Sequence, residues 1–242
     1  MTAVLNFAHR GAAGYCPENT MAAFNHAIEL GATGIETDVH MTADGKLVLI
    51  HDETLQRTTG SPKWVKDIEL AELKELDAGS WYDPTFQGER VPELNELLAL
   101  IKRTKLVVNL ELKNTYVSYP GLEEALIEAV GQYDLADRVI ISSFNHYSLV
   151  KCKQLAPEIR TGILYMEGLY EPWDYAATTR ADALHAFHHA VQPELVAKAA
   201  THGIVYHPWT VNDPVEMRRL VDAGVAGIIT DYPDRLAEVL NQ

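Results

Sequence analysis

Four short stretches of the chain concentrate the side chains able to move protons or hold cations: His9-Arg10, Glu36-x-Asp38, His51-Asp52 and Glu111-x-Lys113. Imidazole titrates near neutrality, so two histidines can present one neutral and one protonated ring at the same pH. His9 and His51 therefore form a candidate general acid–base pair. Glu36 and Asp38 stand two residues apart, as do Asn109, Glu111 and Lys113, and alternate residues of a β-strand share a face. In the second stretch the intervening Leu106, Val108, Leu110 and Leu112 are aliphatic. That face suits a layer of helices, which leaves the polar face to point inward.

Buried carboxylates are costly unless paired or coordinated. Glu36, Asp38 and Glu111 set three negative charges against two positive ones from Arg10 and Lys113. An opening so charged repels an anionic substrate, and a divalent ion reverses the sign. An all-oxygen donor set favours a hard ion, Mg²⁺ or Ca²⁺, over zinc.

These residues sit at the ends of short aliphatic runs that alternate with longer amphipathic ones, the pattern of repeated βα units. Strands are expected over 4–8, 34–39, 106–112, 138–142, 160–164, 183–187, 204–207 and 227–230. Helices are expected over 19–30, 93–101, 121–133, 147–155, 193–200, 214–223 and 233–240. Eight such strands favour a closed TIM (β/α)8 barrel. A doubly wound sheet would call for a Gly-rich phosphate turn after the first strand, and none follows. The run 47–51 breaks the alternation, because Thr42-Ala43-Asp44-Gly45 allows only a hairpin back along the second strand. Pairing centred on Asp44 sets His51 opposite Thr37, between Glu36 and Asp38. Residues 52–92 then form a long insertion before the next helix, expected to cap the active-site mouth. The whole of 1–242 reads as one catalytic domain.

The chain has 242 residues, a net charge of -14 and two cysteines, Cys16 and Cys152. The acidic balance argues against nucleic acid and anionic membrane surfaces as partners. The cysteine count implies no disulfide framework. With no leader-like start and no apolar run long enough to span a bilayer, the expectation is a cytoplasmic protein, a monomer or homodimer, without stable membrane anchoring.

The ordered set His9-Arg10-Gly11, Pro17-Glu18-Asn19-Thr20, Glu36-x-Asp38, Asp44-Gly45 and His51-Asp52 resembles the signature of glycerophosphodiester phosphodiesterases. Asp77-Ala78-Gly79-Ser80-Trp81, Glu111-Leu112-Lys113, Ser142-Ser143-Phe144, Trp209-Thr210-Val211-Asn212 and Gly227-Ile228-Ile229-Thr230-Asp231 extend the likeness along essentially the whole chain. The resemblance implies a TIM barrel that hydrolyses small glycerophosphodiesters to sn-glycerol 3-phosphate and an alcohol. It implies Glu36, Asp38 and Glu111 as ligands of Mg²⁺ or Ca²⁺, and His9 and His51 as the acid–base pair. Arg10 and Lys113 would bind phosphate oxygens, with Asn19 helping at the rim. Phe144 and Trp209 would shape the glycerol pocket. His9 is favoured as base and His51 as acid, and the nucleophile is the glycerol 2-hydroxyl or water. Competing readings are a phosphodiesterase acting on lysophospholipids or inositol lipids, and a non-catalytic barrel that binds phosphodiesters.

Other tempting groups have plainer explanations. His185, His188 and His189 lack supporting ligands and are expected at a solvated strand end. Cys16 is read as packing, and the acidic run 69–75 as a solvated helix face.

Overall fold

In the computed structural model, which describes residues 3–242, nine strands form: β1 (Leu5–His9), β2 (Gly34–Met41), β3 (Leu47–Leu49), β4 (Val107–Leu112), β5 (Val139–Ser143), β6 (Arg160–Tyr165), β7 (Ala183–Ala186), β8 (Val205–Tyr206) and β9 (Gly227–Thr230). Eight run parallel in the order β8-β7-β6-β5-β4-β2-β1-β9, and β3 lies antiparallel on β2. The two ends of the row meet. Ala226 N–H donates to the Tyr206 carbonyl at 3.0 Å, and Ile229 N–H donates to that of Pro208 at 2.9 Å. The sheet therefore closes into the expected TIM barrel. The Val211 N–H donates across the same seam to the Ile229 carbonyl at 2.9 Å, while Pro208 has no N–H to offer.

Eight helices coat the outside: Met21–Glu29, Leu94–Lys102, Leu122–Gln132, His146–Leu155, Pro172–Thr179, Pro193–Thr201, Pro214–Asp222 and Pro233–Leu240. Proline opens four of them, where its fixed φ suits the turn and no intrahelical donor is lost. The helix Pro172–Thr179 was not identified from the sequence. Its tyrosine-rich approach carries no apolar period, and Glu171 enters it from the left-handed region with φ +44°.

The alternation in β4 holds as expected. Val108, Leu110 and Leu112 are buried in the main core against the helices, while Asn109 and Glu111 line an interior cavity. Residues 48–91 contribute a second, smaller core of Val48, Ile50, Leu55, Val65, Ile68, Leu73, Ala78 and Val91, which fastens the insertion to the hairpin. The hairpin register is Val39↔Leu49, His40↔Val48 and Met41↔Leu47, symmetric about Asp44. Gly45 takes φ +76°, and the Ile50 N–H continues the ladder to the Asp38 carbonyl at 3.1 Å. By the same register His51 comes level with Thr37.

One expectation is corrected. His185 is fully buried inside the barrel and does not mark a solvated strand end. Parallel barrel strands are covered on both faces, so even the polar member of Ala183–Ala186 has no route to water. Gly162 makes the room, since a Cβ there would lie 2.3 Å from the His185 ring. His207 faces it, Nδ1 to Nε2 at 3.0 Å. His188 lies 3.1 Å from Glu216, and His189 is exposed. Cys16 is buried, and Glu69, Glu72 and Glu75 are exposed, as expected.

Candidate active site

The first strand ends at His9, and the chain then bends sharply. Arg10 adopts φ +52° and Gly11 φ +81°. A side chain at Gly11 would strike Ala23 at 2.6 Å, so this turn packs flush against the first helix. The bend aims the Arg10 N–H at Glu36 Oε2, 3.1 Å away. Its guanidinium reaches Glu18 at 2.9 Å and Asp38 at 3.3 Å. Lys113, from just beyond β4, lies 2.8 Å from Glu111 and 3.6 Å from Asp38.

Glu36, Asp38 and Glu111 each offer one oxygen within 4.8 Å of the others. Burial pushes the Glu36 carboxyl up to about 8, helped by the Asp38 charge. Glu111 is also raised by burial, against the pull of Lys113. Asp38 goes the other way, because Arg10, Lys113 and His51 outweigh its desolvation. Arg10 and Lys113 thus suffice to ionise Asp38 but not the whole trio. The donor chemistry fits a hard divalent cation, whose charge would make all three carboxylates favourable at neutral pH.

The two imidazoles flank this trio, each braced by a carboxylate. His9 Nδ1 donates to Asp231 Oδ1 at 2.6 Å, which leaves Nε2 facing Glu36 Oε2 at 4.0 Å. Burial works against a charge on His9, but Asp231 and Glu36 outweigh it and raise its pKa. His51 Nδ1 donates to Asp52 Oδ1 at 2.8 Å. Asp52 is buried enough to resist ionisation, yet hydrogen bonds from Arg57 and His51 pull it down to about 2. Arg57 bridges Asp52 at 2.7 Å and Glu18 at 2.6 Å. Because Glu18 also holds Arg10, one chain of ion pairs runs from His51 to Arg10.

A cavity of about 100 Å³ sits among these groups, lined by both histidines, Arg10, Glu36, Glu111 and Lys113, with Phe144 and Trp209 on its apolar side. Phe144 and Trp209 meet edge to face at 5.7 Å, and the indole N–H donates to the His185 carbonyl at 2.7 Å. Asn19 lies deeper than the rim. It is buried, takes φ +55°, donates to Asp38 Oδ2 at 2.8 Å and accepts from Thr37 at 2.6 Å.

The pattern of the glycerophosphoryl diester phosphodiesterase family matches residues 9–235. The chain belongs to that family. It is accordingly an enzyme of the phosphoric diester hydrolase class, a glycerophosphodiester phosphodiesterase. It is 49% identical over 238 residues to a glycerophosphodiester phosphodiesterase of Caldanaerobacter subterraneus subsp. tengcongensis, covering 98% of both chains. A phosphodiesterase of Oleispira antarctica, solved in complex with the product sn-glycerol-3-phosphate, superposes with a TM-score of 0.87 at 32% identity, covering 98% of this chain and 96% of that one. The glycerophosphodiester phosphodiesterase of Agrobacterium tumefaciens gives 0.84 at 28%, covering 98% and 100%.

Several residues that brace this candidate site were not given roles from sequence. Asp231, held by Asn212 at 2.6 Å, braces His9. Arg57 and Glu18 join the two sides of the mouth. His40, buried, contacts the His51 carbonyl at 3.1 Å and Tyr119 at 2.7 Å. Asp231 and Glu18 stand inside quoted motifs, so their type was visible, but their partners lie far off in sequence. No helix among the described residues is long and apolar enough to cross a membrane.

Proposed function

We propose that the chain hydrolyses glycerophosphodiesters to sn-glycerol 3-phosphate and an alcohol, with Glu36, Asp38 and Glu111 holding Mg²⁺ or Ca²⁺ and with His9 and His51 as base and acid. The reading rests on one observation: a trio of carboxylates within 4.8 Å of one another between two carboxylate-braced imidazoles. When bound, the cation supplies Lewis-acid stabilisation of charge on a non-bridging phosphate oxygen.

Arg10 and Lys113 neutralise the remaining phosphate charge, and their own ties to the carboxylates keep them pre-oriented. Asp231 fixes His9 in the tautomer whose Nε2 lone pair faces the cavity, as a base requires. Neutralisation of Glu36 removes one contribution that raises the His9 pKa and returns the ring toward its basic form. His9 takes the proton of the nucleophile, the glycerol 2-hydroxyl or water. As the new phosphorus–oxygen bond forms, the ester bond to the alcohol breaks and His51 delivers its proton to the departing oxygen. Phe144 and Trp209 pack the glycerol carbons, and Asn19 holds Asp38 in place. We read residues 1–242 as one catalytic unit of cytoplasmic location, with 52–92 bracing the mouth through Asp52 and Arg57.

The test is to incubate the protein with glycerophosphocholine, with and without EDTA, and to quantify sn-glycerol 3-phosphate. Product that appears only with Mg²⁺ or Ca²⁺ present supports the reading. Undiminished turnover after exhaustive chelation overturns the metal assignment. Phosphorus NMR during turnover separates the two nucleophiles, because 2-hydroxyl attack passes through a five-membered cyclic phosphate, whose bond to O2 must then be broken by water to give sn-glycerol 3-phosphate.

A further inference from the structure

The cavity between the histidines opens into a second, larger one of about 580 Å³. The two share His51, Glu111, Lys113, Phe144 and Leu164. In the function proposed above, the inner space takes the phosphate, with its glycerol arm toward Phe144 and Trp209. The alcohol on the far side of phosphorus must then extend past His51, the proton donor in the proposed mechanism, into the outer chamber.

That chamber has a definite chemistry. Its walls include Glu53, Glu167, Tyr116, Tyr165 and Met166. The neighbouring cations are already committed: Lys113 to Glu111 and Asp38, and Arg57 to Glu18 and Asp52. His146 is tied by both ring nitrogens, to Tyr175 at 2.9 Å and to the Leu164 carbonyl at 2.9 Å. Glu53 and Glu167 make no ion pair with any of these groups. Tyr116 and Met166 are 87% and 51% exposed at the chamber wall. Carboxylates without cationic partners, beside aromatic faces and a thioether, attract a compact organic cation by charge and by cation–π contact.

We propose that the outer chamber is a leaving-group subsite selective for cationic alcohols, ammonium or quaternary ammonium, over neutral polyols. Glu53 and Glu167 supply the field, and Tyr116 with Phe144 supplies the aromatic contact. This rests on the function proposed above and names the class of diester it prefers. The anion-binding groups hold the phosphate at the inner end while the acidic chamber holds the positive end of the same zwitterion. A chain of net charge -14 can thereby draw in a phosphodiester by its cationic tail.

The experiment compares kcat/KM of the metal-loaded protein for glycerophosphocholine, glycerophosphoethanolamine and glycerophosphoglycerol at low salt. The cationic esters are expected to lead by about tenfold, a margin that shrinks as salt rises. In Glu53→Gln/Glu167→Gln that ratio falls about fivefold, and Tyr116→Ala lowers the choline ester more than the glycerol ester. Free choline is expected to inhibit the parent protein competitively and the double variant weakly. Equal kcat/KM across the three esters, or variants that shift all three in parallel, would overturn the selectivity while leaving the hydrolase reading intact. Absence of turnover on every ester, glycerophosphoglycerol included, would overturn the reading and the subsite together.

Discussion

The barrel holds two pairs of imidazoles, and they differ in everything but residue type. At the mouth, His9 and His51 each donate Nδ1 to a carboxylate and keep the other edge toward the cavity. Deeper in, His185 and His207 face each other with no carboxylate behind them, the Phe7 ring lies 5.3 Å from that of His207, and the Arg160 charge adds to the burial of His207. Burial acts on His9 as it does on the inner pair. At the mouth, Asp231 and Glu36 overcome it and raise the His9 pKa, whereas inside nothing opposes it and His207 drops to about 3. His9 is favoured toward its protonated form, and the inner pair is held neutral. What makes a histidine chemically useful is thus the carboxylate behind it.

That contrast can be broken most decisively at the mouth. His51→Ala and His9→Ala are each expected to lose about a thousandfold in kcat while the thermal midpoint stays near the parent value. His207→Gln is expected to keep kcat within about threefold and to lower the midpoint instead, as disturbed packing and an unpaired buried group do. Loss of turnover in a well-folded His207→Gln protein would erase the distinction between the pairs.

A smaller effect sharpens the account of the braces. Asp231→Asn retains the shape of the contact but removes the charge that raises the His9 pKa. Turnover is expected to fall by about 10- to 100-fold, and the His9 titration followed by NMR should move to lower pH. Rescue by Glu at this position, with the titration restored, separates an electrostatic role from a structural one.

The smallest effect belongs to the inner pair and appears in stability. His207 binds its proton near pH 3 in the native chain and near 6.5 when unfolded. Between those values the unfolded chain holds more protons, so stability is complete above pH 6.5 and declines as pH falls. From pH 6.5 to 5 this one ring costs about 2 kcal/mol, and His185 adds in the same direction. Denaturant midpoints measured across that range should fall less steeply in His207→Gln than in the parent.

The same contrast shows what was legible from sequence. The mouth could be read because strand alternation fixes which side chains share a face, as with Glu36 and Asp38 or Glu111 and Lys113. The hairpin register could be read too, since Asp44-Gly45 admits one tight turn and side chains repeat every two residues. His185 was misplaced because its burial depends on Gly162, a strand away, which no local pattern reveals. Asp231 and Arg57 escaped for a related reason. Asp231 meets His9 only where the last strand closes on the first, and Arg57 belongs to a segment without periodicity. Pairing across long sequence separations is a property of the closed sheet.

The short hairpin that delivers His51 also makes the chain unequally forgiving of length changes. Surface loops elsewhere on a barrel can gain or lose residues at small cost. Between Val39 and Leu49, one added or deleted residue would turn the side chains of the returning strand to the opposite face and carry the His51 imidazole away from the cavity it lines. Such a change would also turn Val48 and Ile50 out of the second core, so it would loosen the insertion along with displacing His51.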